Sequence, residues 1–173
     1  WKEDFLMSFT AETEGAKEAV SYLNEVAACV EGKLILGGHS KGGNFAMYAA
    51  AFSEDAVKER ILKIYNNDGP GFREEIVRTE AYREMQPKIT NILPQTSIIG
   101  QLLSNEAEQH VVKSTAAGIF QHDVTTWEVT KDKFVGAELD AFSDFVKKSL
   151  GTWLETMDDE TRKSLVETVF SMI

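Results

Sequence analysis

The sequence predicts an α/β fold with a mainly parallel central sheet flanked by helices, on three observations. Strand-like and helix-like segments alternate through the first hundred or so residues, separated by short turns, which is the pattern of βαβ units. An apolar run, Lys33–Gly37, passes through a glycine-rich turn directly into an Ala-rich segment, Asn44–Ala51. That second segment has almost no polar face between Phe45 and Phe52, as expected of a helix buried against a sheet.

Taken in order, Trp1–Thr10 is too short and mixed to classify beyond a loop or strand end. From Thr13, a plausible N-cap, Ala16, Ala19, Val20, Leu23, Val26, Ala27 and Val30 recur at helical steps, with Gly32 past the end. Strand Lys33–Gly37 follows, then a helix to about Phe52. Ser53-Glu54-Asp55 opens a short polar helix or loop. Arg60–Tyr65 reads as a strand ending in Asn66-Asn67-Asp68-Gly69-Pro70-Gly71, a turn by composition. A helix is expected over Glu74–Met85, stopped by Pro87, then a strand over Lys88–Leu93 and a loop or short helix over Gln95–Glu108. Gln109–Ser114 alternates like a strand. Two helices are expected to close the chain, one capped by Asp132 with Val135, Leu139, Phe142 and Val146 in register, and one capped by Asp158 with Leu165, Val166, Val169, Phe170 and Ile173 in one stripe. Such a stripe reads as core or as a contact for a second copy of the chain, through which a homo-oligomer would form. Residues 1–173 are read as a single domain, with 131–173 as its C-terminal helical segment. The chain opens on Trp1 and closes inside an apolar-periodic stretch, so both ends read as cut from a longer protein.

Composition narrows the function classes. The 173 residues suffice to bury a real core. The formal net charge of −10, without clustered Lys and Arg, argues against a nucleic-acid partner. One cysteine, Cys29, cannot form an internal disulfide and fits a reducing, cytoplasmic setting. No apolar run is long enough for a transmembrane helix. The three histidines and one cysteine are scattered, so no metal is expected, and no cofactor.

The stretch Gly38-His39-Ser40-Lys41-Gly42-Gly43 carries the chemistry. Gly38-x-Ser40-x-Gly42 between a strand and a helix fits the nucleophile elbow of serine hydrolases, in which the serine stands on a strained turn. The residues two before and two after are then expected to need almost no side chain. A serine hydroxyl needs a base to take its proton and a third group to orient that base. His39 adjoins Ser40 and is expected to pack beside the strand. His110 begins a strand and reads as a surface or core histidine. His122 lies in a loop that can swing over Ser40 and is the candidate base. Asp68, at the C-terminal end of the strand after the elbow helix, leads as the acid, where ligand sites of open α/β sheets lie. Locally it reads equally well as an Asx-type turn residue. Asp123 is too near His122 in sequence to orient it, and Glu106 is a reserve. The backbone N–H of Lys41, at the start of the elbow helix, would supply one oxyanion donor.

These stretches, with Trp1-Lys2-Glu3-Asp4-Phe5, Asn66–Phe72, Pro94–Gly100 and Gln121-His122-Asp123, make the chain resemble the lipase-like α/β-hydrolases, in particular the lipase class 3 group. The likeness is closer still to an uncharacterised bacterial family, a domain of unknown function with the Gly-His-Ser-Lys-Gly-Gly elbow. It covers the chain to about Val129. The resemblance implies an α/β-hydrolase fold lacking its N-terminal strands, Ser40 as nucleophile and His122 as base. Trp1-Lys2-Glu3-Asp4 looks like the tail of the segment that supplies the second oxyanion donor, which is then expected upstream of Trp1. In those lipases the acid comes from the loop matching Pro94–Gly100. Here that loop has no carboxylate, and Ser97 is its closest match. Either Asp68 takes the role from the preceding strand, or the site is a dyad.

Two function classes follow. The first is a hydrolase of carboxylic esters, small-molecule or lipid, working through Ser40, His122 and Asp68 and an acyl-enzyme, with acyl transfer to another acceptor as a variant. The second is a non-catalytic hydrolase-like module kept for binding or assembly through the C-terminal helices.

Overall fold

The computed structural model describes residues 13–145 together with Lys148, Ser149 and Thr161. Four strands form one parallel sheet in the order β1-β2-β3-β4: β1 (Leu34–His39), β2 (Ile61–Asn67), β3 (Ile89–Pro94) and β4 (Glu108–Val112). Register pairs Gly38 with Asn66, Asn66 with Asn91, and Asn91 with Gln109, so the carboxyl ends of the strands lie side by side.

Helix α1 (Glu14–Cys29) starts where expected, the Thr13 side chain accepting a hydrogen bond from Ala16 N at 3.2 Å. Its other end has no basic residue in the last turn. Arg60, just ahead of β2, serves instead: its guanidinium donates to the carbonyls of Ala27, Val30 and Gly32 at 2.6–2.8 Å. These charge-assisted bonds satisfy carbonyls that a helix end leaves orphaned. Helix α2 (Lys41–Phe52) buries Met47, Tyr48, Ala49, Ala50 and Ala51, as its missing polar face required. It packs on β1, β2, α1 and the later helix α5 (Glu80–Met85), so the main core lies on this side of the sheet, with Ile61, Ile64, Tyr82, Met85 and Ile89. On the other side Ile35 and Tyr65 are exposed.

Two expectations are corrected. The segment over Glu74–Met85 is two short helices, α4 (Glu74–Val77) and α5, following α3 (Asp55–Lys58). Thr79 breaks it: its hydroxyl donates to Ile76 O at 2.7 Å and accepts from Tyr82 N at 3.2 Å, ending one helix and capping the next. The expected helix from Asp132 is first a hairpin, β5 (Val129–Thr130) and β6 (Lys133–Phe134), with Asp132 in its turn. The chain then stays extended beside β4, Lys113 N donating to Val135 O and Ala137 N to Val111 O, both at 2.9 Å. Backbone pairing at the end of β4 overrides the helical spacing of Val135 and Leu139. The helix begins only at 141, capped by Asp140, whose carboxylate accepts from Ser143 N at 2.8 Å. The final stripe, Leu165 to Ile173, and the Trp1-Lys2-Glu3-Asp4 stretch lie outside the described residues. Among the described residues no helix is long and apolar enough to cross a membrane.

Candidate active site

The turns after β1, β2 and β3 and the loop beyond β4 converge at the carboxyl edge of the sheet, and each brings one polar side chain. Ser40, the residue after β1, has φ 57° and ψ −131°, a backbone conformation costly for any residue with a Cβ. It is held by the pairing of Ser40 N with Asn67 O at 2.9 Å and by Gly43 N donating back to Ser40 O at 2.9 Å. The turn is so tight that a Cβ on Gly38 would run into the carbonyl of Gly42. A Cβ on Gly42, by contrast, meets nothing among the described residues. Of the two glycines expected to be side-chain-free, only Gly38 is crowded. The second crowded position is Gly43, where a Cβ would strike the amide oxygen of Asn66.

Asp68, one residue past β2, also has a left-handed φ of 49° and is 1% exposed. The turn alternative for this residue is met by another side chain. Asn66, not Asp68, closes the turn, its Oδ1 accepting from Gly69 N at 3.1 Å and its Nδ2 donating to Gly69 O at 3.0 Å. Asn66 also donates to Asn91 Oδ1 at 2.9 Å, and Asn91 exchanges bonds with Asn105. This amide ladder, with Asn44 Nδ2 donating to the carbonyls of Pro70 and Gly71, fixes the loop under Asp68. The carboxylate is thus released for other partners. Its Oδ1 accepts from Ser97 Oγ at 2.5 Å and Gly100 N at 3.1 Å, and its Oδ2 faces His122 Nδ1 at 2.7 Å. A buried carboxylate is tolerated where such donors replace water.

His122 ends a 3₁₀ turn, Gly118–His122. Its neighbour Gln121 anchors the loop: the buried amide accepts from Thr96 N at 2.9 Å and donates to Ala116 O, while Gln121 O accepts from Trp127 Nε1 at 2.8 Å. Because a carboxylate only accepts, His122 Nδ1 carries the hydrogen, and Nε2 is left as an acceptor. Nε2 stands 3.0 Å from Ser40 Oγ. Serine, imidazole and carboxylate therefore form one continuous hydrogen-bonded relay, with the histidine side chain 26% exposed.

The other candidates stand elsewhere. His110 is exposed and pairs with Glu108 at 3.2 Å. Glu106 is exposed and lies near Tyr82. Asp123 accepts from the hydroxyl and backbone N–H of Thr125, which hold its carboxyl below the usual carboxylate range, and caps a turn rather than orienting His122. His39 does not pack beside its strand: its Nε2 is 2.7 Å from the backbone carbonyl of His122. Lys41 is the first residue of α2, directly after Ser40, and its Nζ lies 5.8 Å from the centre of the Phe45 ring. The sequence reading missed Asn66, Asn91 and Gln121 as supports. For Asn91 a signal existed, since an amide in the middle of an apolar strand must find a partner.

Fold and site together define a class: a parallel α/β domain with a Ser–His–Asp relay at the carboxyl edge of its sheet. The chain belongs to the Mbeg1-like family, whose family model matches residues 1–171. No curated protein matches it.

Proposed function

We propose that the protein is a serine hydrolase of α/β-hydrolase type that cleaves carboxylic esters through Ser40, His122 and Asp68. The observation that carries this reading is the unbroken path Ser40 Oγ–His122 Nε2, 3.0 Å, and His122 Nδ1–Asp68 Oδ2, 2.7 Å. Both separations are within reach for proton transfer before any substrate is bound. Ser40 Oγ attacks the ester carbonyl as His122 Nε2 takes its proton. The new C–O bond turns the carbonyl oxygen into an oxyanion at the N-terminus of α2, where the Lys41 N–H and the helix dipole favour negative charge. Collapse expels the alcohol, which leaves with the proton from His122. Water, deprotonated in turn by His122, then attacks the acyl-enzyme; the acyl–Oγ bond breaks, the carboxylic acid leaves and His122 returns its proton to Ser40 Oγ. Asp68 holds the Nδ1–H tautomer throughout and stabilises the transient imidazolium.

The likeness to class 3 lipases supports the same roles, with one rearrangement. The Pro94–Gly100 loop, expected there to carry the acid, instead donates to it from Ser97 and Gly100. The place of Asp68 at His122 Nδ1 supports the triad over the dyad and over a non-catalytic module. Small-molecule or lipid esters are the substrate class, and the lone exposed Cys29 suits a reducing cytoplasmic setting.

A panel of p-nitrophenyl esters of graded acyl length tests this on the intact protein. Turnover is expected for at least one chain length and should fall by about 10³-fold or more in Ser40→Ala. No turnover of any ester by folded protein, or equal turnover by Ser40→Ala, would contradict it.

A further inference from the structure

His39 is the one residue of β1 whose side chain reaches the loop of the candidate base. Its Nε2 lies 2.7 Å from the carbonyl oxygen of His122, and the two imidazole rings stack obliquely, centroids 4.5 Å apart and planes at 39°. A carbonyl accepts only, so His39 Nε2 bears the hydrogen and donates. The contact joins positions 83 residues apart, and local chain geometry does not account for it.

We propose that His39 is a positioning residue: it ties the His122 backbone to β1, the strand that carries Ser40, and so sets the distance between nucleophile and base. The geometry assigns this work to His39 because the other anchors of His122 pull elsewhere. Asp68 holds the ring at Nδ1 from the end of β2. Gln121 and Trp127 tie the loop toward Thr96 and the strand segments beyond β4. None of these connects His122 to β1, whereas His39 is the immediate neighbour of Ser40 and moves with it. Side chains of successive residues diverge at the elbow, so that His39 hydrogen-bonds to the main chain of His122 and Ser40 to its ring. Its role is mechanical, through the bond to the carbonyl, and it exchanges no proton with substrate.

The inference rests on the hydrolase reading for its kinetic consequence but not for its structural one, and two measurements keep them apart. The first follows the Nδ1–H proton of His122, hydrogen-bonded to Asp68, by NMR in four versions of the intact protein. Wild type and His39→Gln, whose amide nitrogen reaches the place of Nε2, are expected to show a sharp downfield resonance. His39→Phe, which keeps a ring but no donor, and His39→Asn, whose amide is too short, are expected to show it broadened. The second is the rate of ester turnover: kcat should fall about five-fold in the Phe and Asn variants and return in the Gln variant, with KM little changed. An identical resonance in all four proteins would overturn the positioning role whatever the chemistry of the site. So would equal kcat in Gln and Asn variants of an active protein. The expected NMR pattern in a protein that turns over no ester would keep the positioning role and sink the hydrolase reading instead.

Discussion

At single residues, the structure places costs both within the candidate site and away from it. Ser40 and Asp68 both hold a positive φ, 57° and 49°, each a strain of about 1–3 kcal/mol that neighbouring bonds must hold in place. Tyr82 is different. It is fully buried on α5, its hydroxyl has no partner among the described residues, and it takes no part in the relay. Burial, and then the nearby Glu106 carboxylate, push its phenol up to about 12. The folded state therefore keeps that proton after the unfolded chain has lost it near 10, and the stabilisation present below the unfolded value drains away as pH rises towards 12. Urea unfolding of wild type and Tyr82→Phe should show this. Between about pH 9 and about pH 11 wild type is expected to lose on the order of 1 kcal/mol more than the variant. At neutral pH Tyr82→Phe should be neutral or slightly stabilising, since it removes an unpaired buried hydroxyl. Equal alkaline loss in both proteins would show that the phenol titrates normally.

Among elements, the contact that matters most is that of α2 with β1 and β2, because it presents Ser40 to His122. Gly38 and Gly43 let these elements approach, one against the carbonyl of Gly42 and the other against the Asn66 amide. Gly42 faces open space among the described residues. Gly43→Ala is therefore expected to cost about 2 kcal/mol or more by displacing Asn66 from its turn, whereas Gly42→Ala should stay within about 1 kcal/mol of wild type. Thermal unfolding of the two variants distinguishes them, and equal losses would contradict the packing described. The same elements show what the sequence could reveal. Apolar runs, and alternation in the fourth, marked the four strands to within two residues at every end, because burial and strand period act locally. The break at Thr79 and the β5–β6 hairpin were hidden, since a hydroxyl bonding in both directions and pairing beside β4 are invisible to spacing. In the candidate site, Ser40 was legible from its own turn, Asp68 from its place at the end of the strand after the elbow helix, and His122 from a loop able to reach Ser40. Asn66 and Gln121 were not legible as supports, and Asn91 only as an amide in need of a partner, because those partners lie up to 25 residues away in sequence. His39 was harder still, its partner being a backbone carbonyl 83 positions distant.

At the scale of the molecule, the parallel order β1-β2-β3-β4 turns four separate stretches of sequence into one edge. β1 delivers the serine, β2 the carboxylate, the loop after β3 the donors that hold that carboxylate, and the loop beyond β4 the imidazole. The start of the helix at 141 locks the third of these from behind, Ser143 Oγ donating to Ser97 O at 2.7 Å and Thr96 Oγ1 to the Asp140 carboxylate. We propose that this convergence makes Ser40 a nucleophile. The most direct measurement is the rate at which a fluorophosphonate probe bonds covalently to the intact protein, with the modified residue mapped by mass spectrometry. A single adduct on Ser40 is expected, absent in Ser40→Ala and formed at least about 10³-fold more slowly in Asp68→Asn, whose amide cannot hold the His122 Nδ1–H tautomer. No adduct on folded wild-type protein, or labelling undiminished in Asp68→Asn, would contradict it.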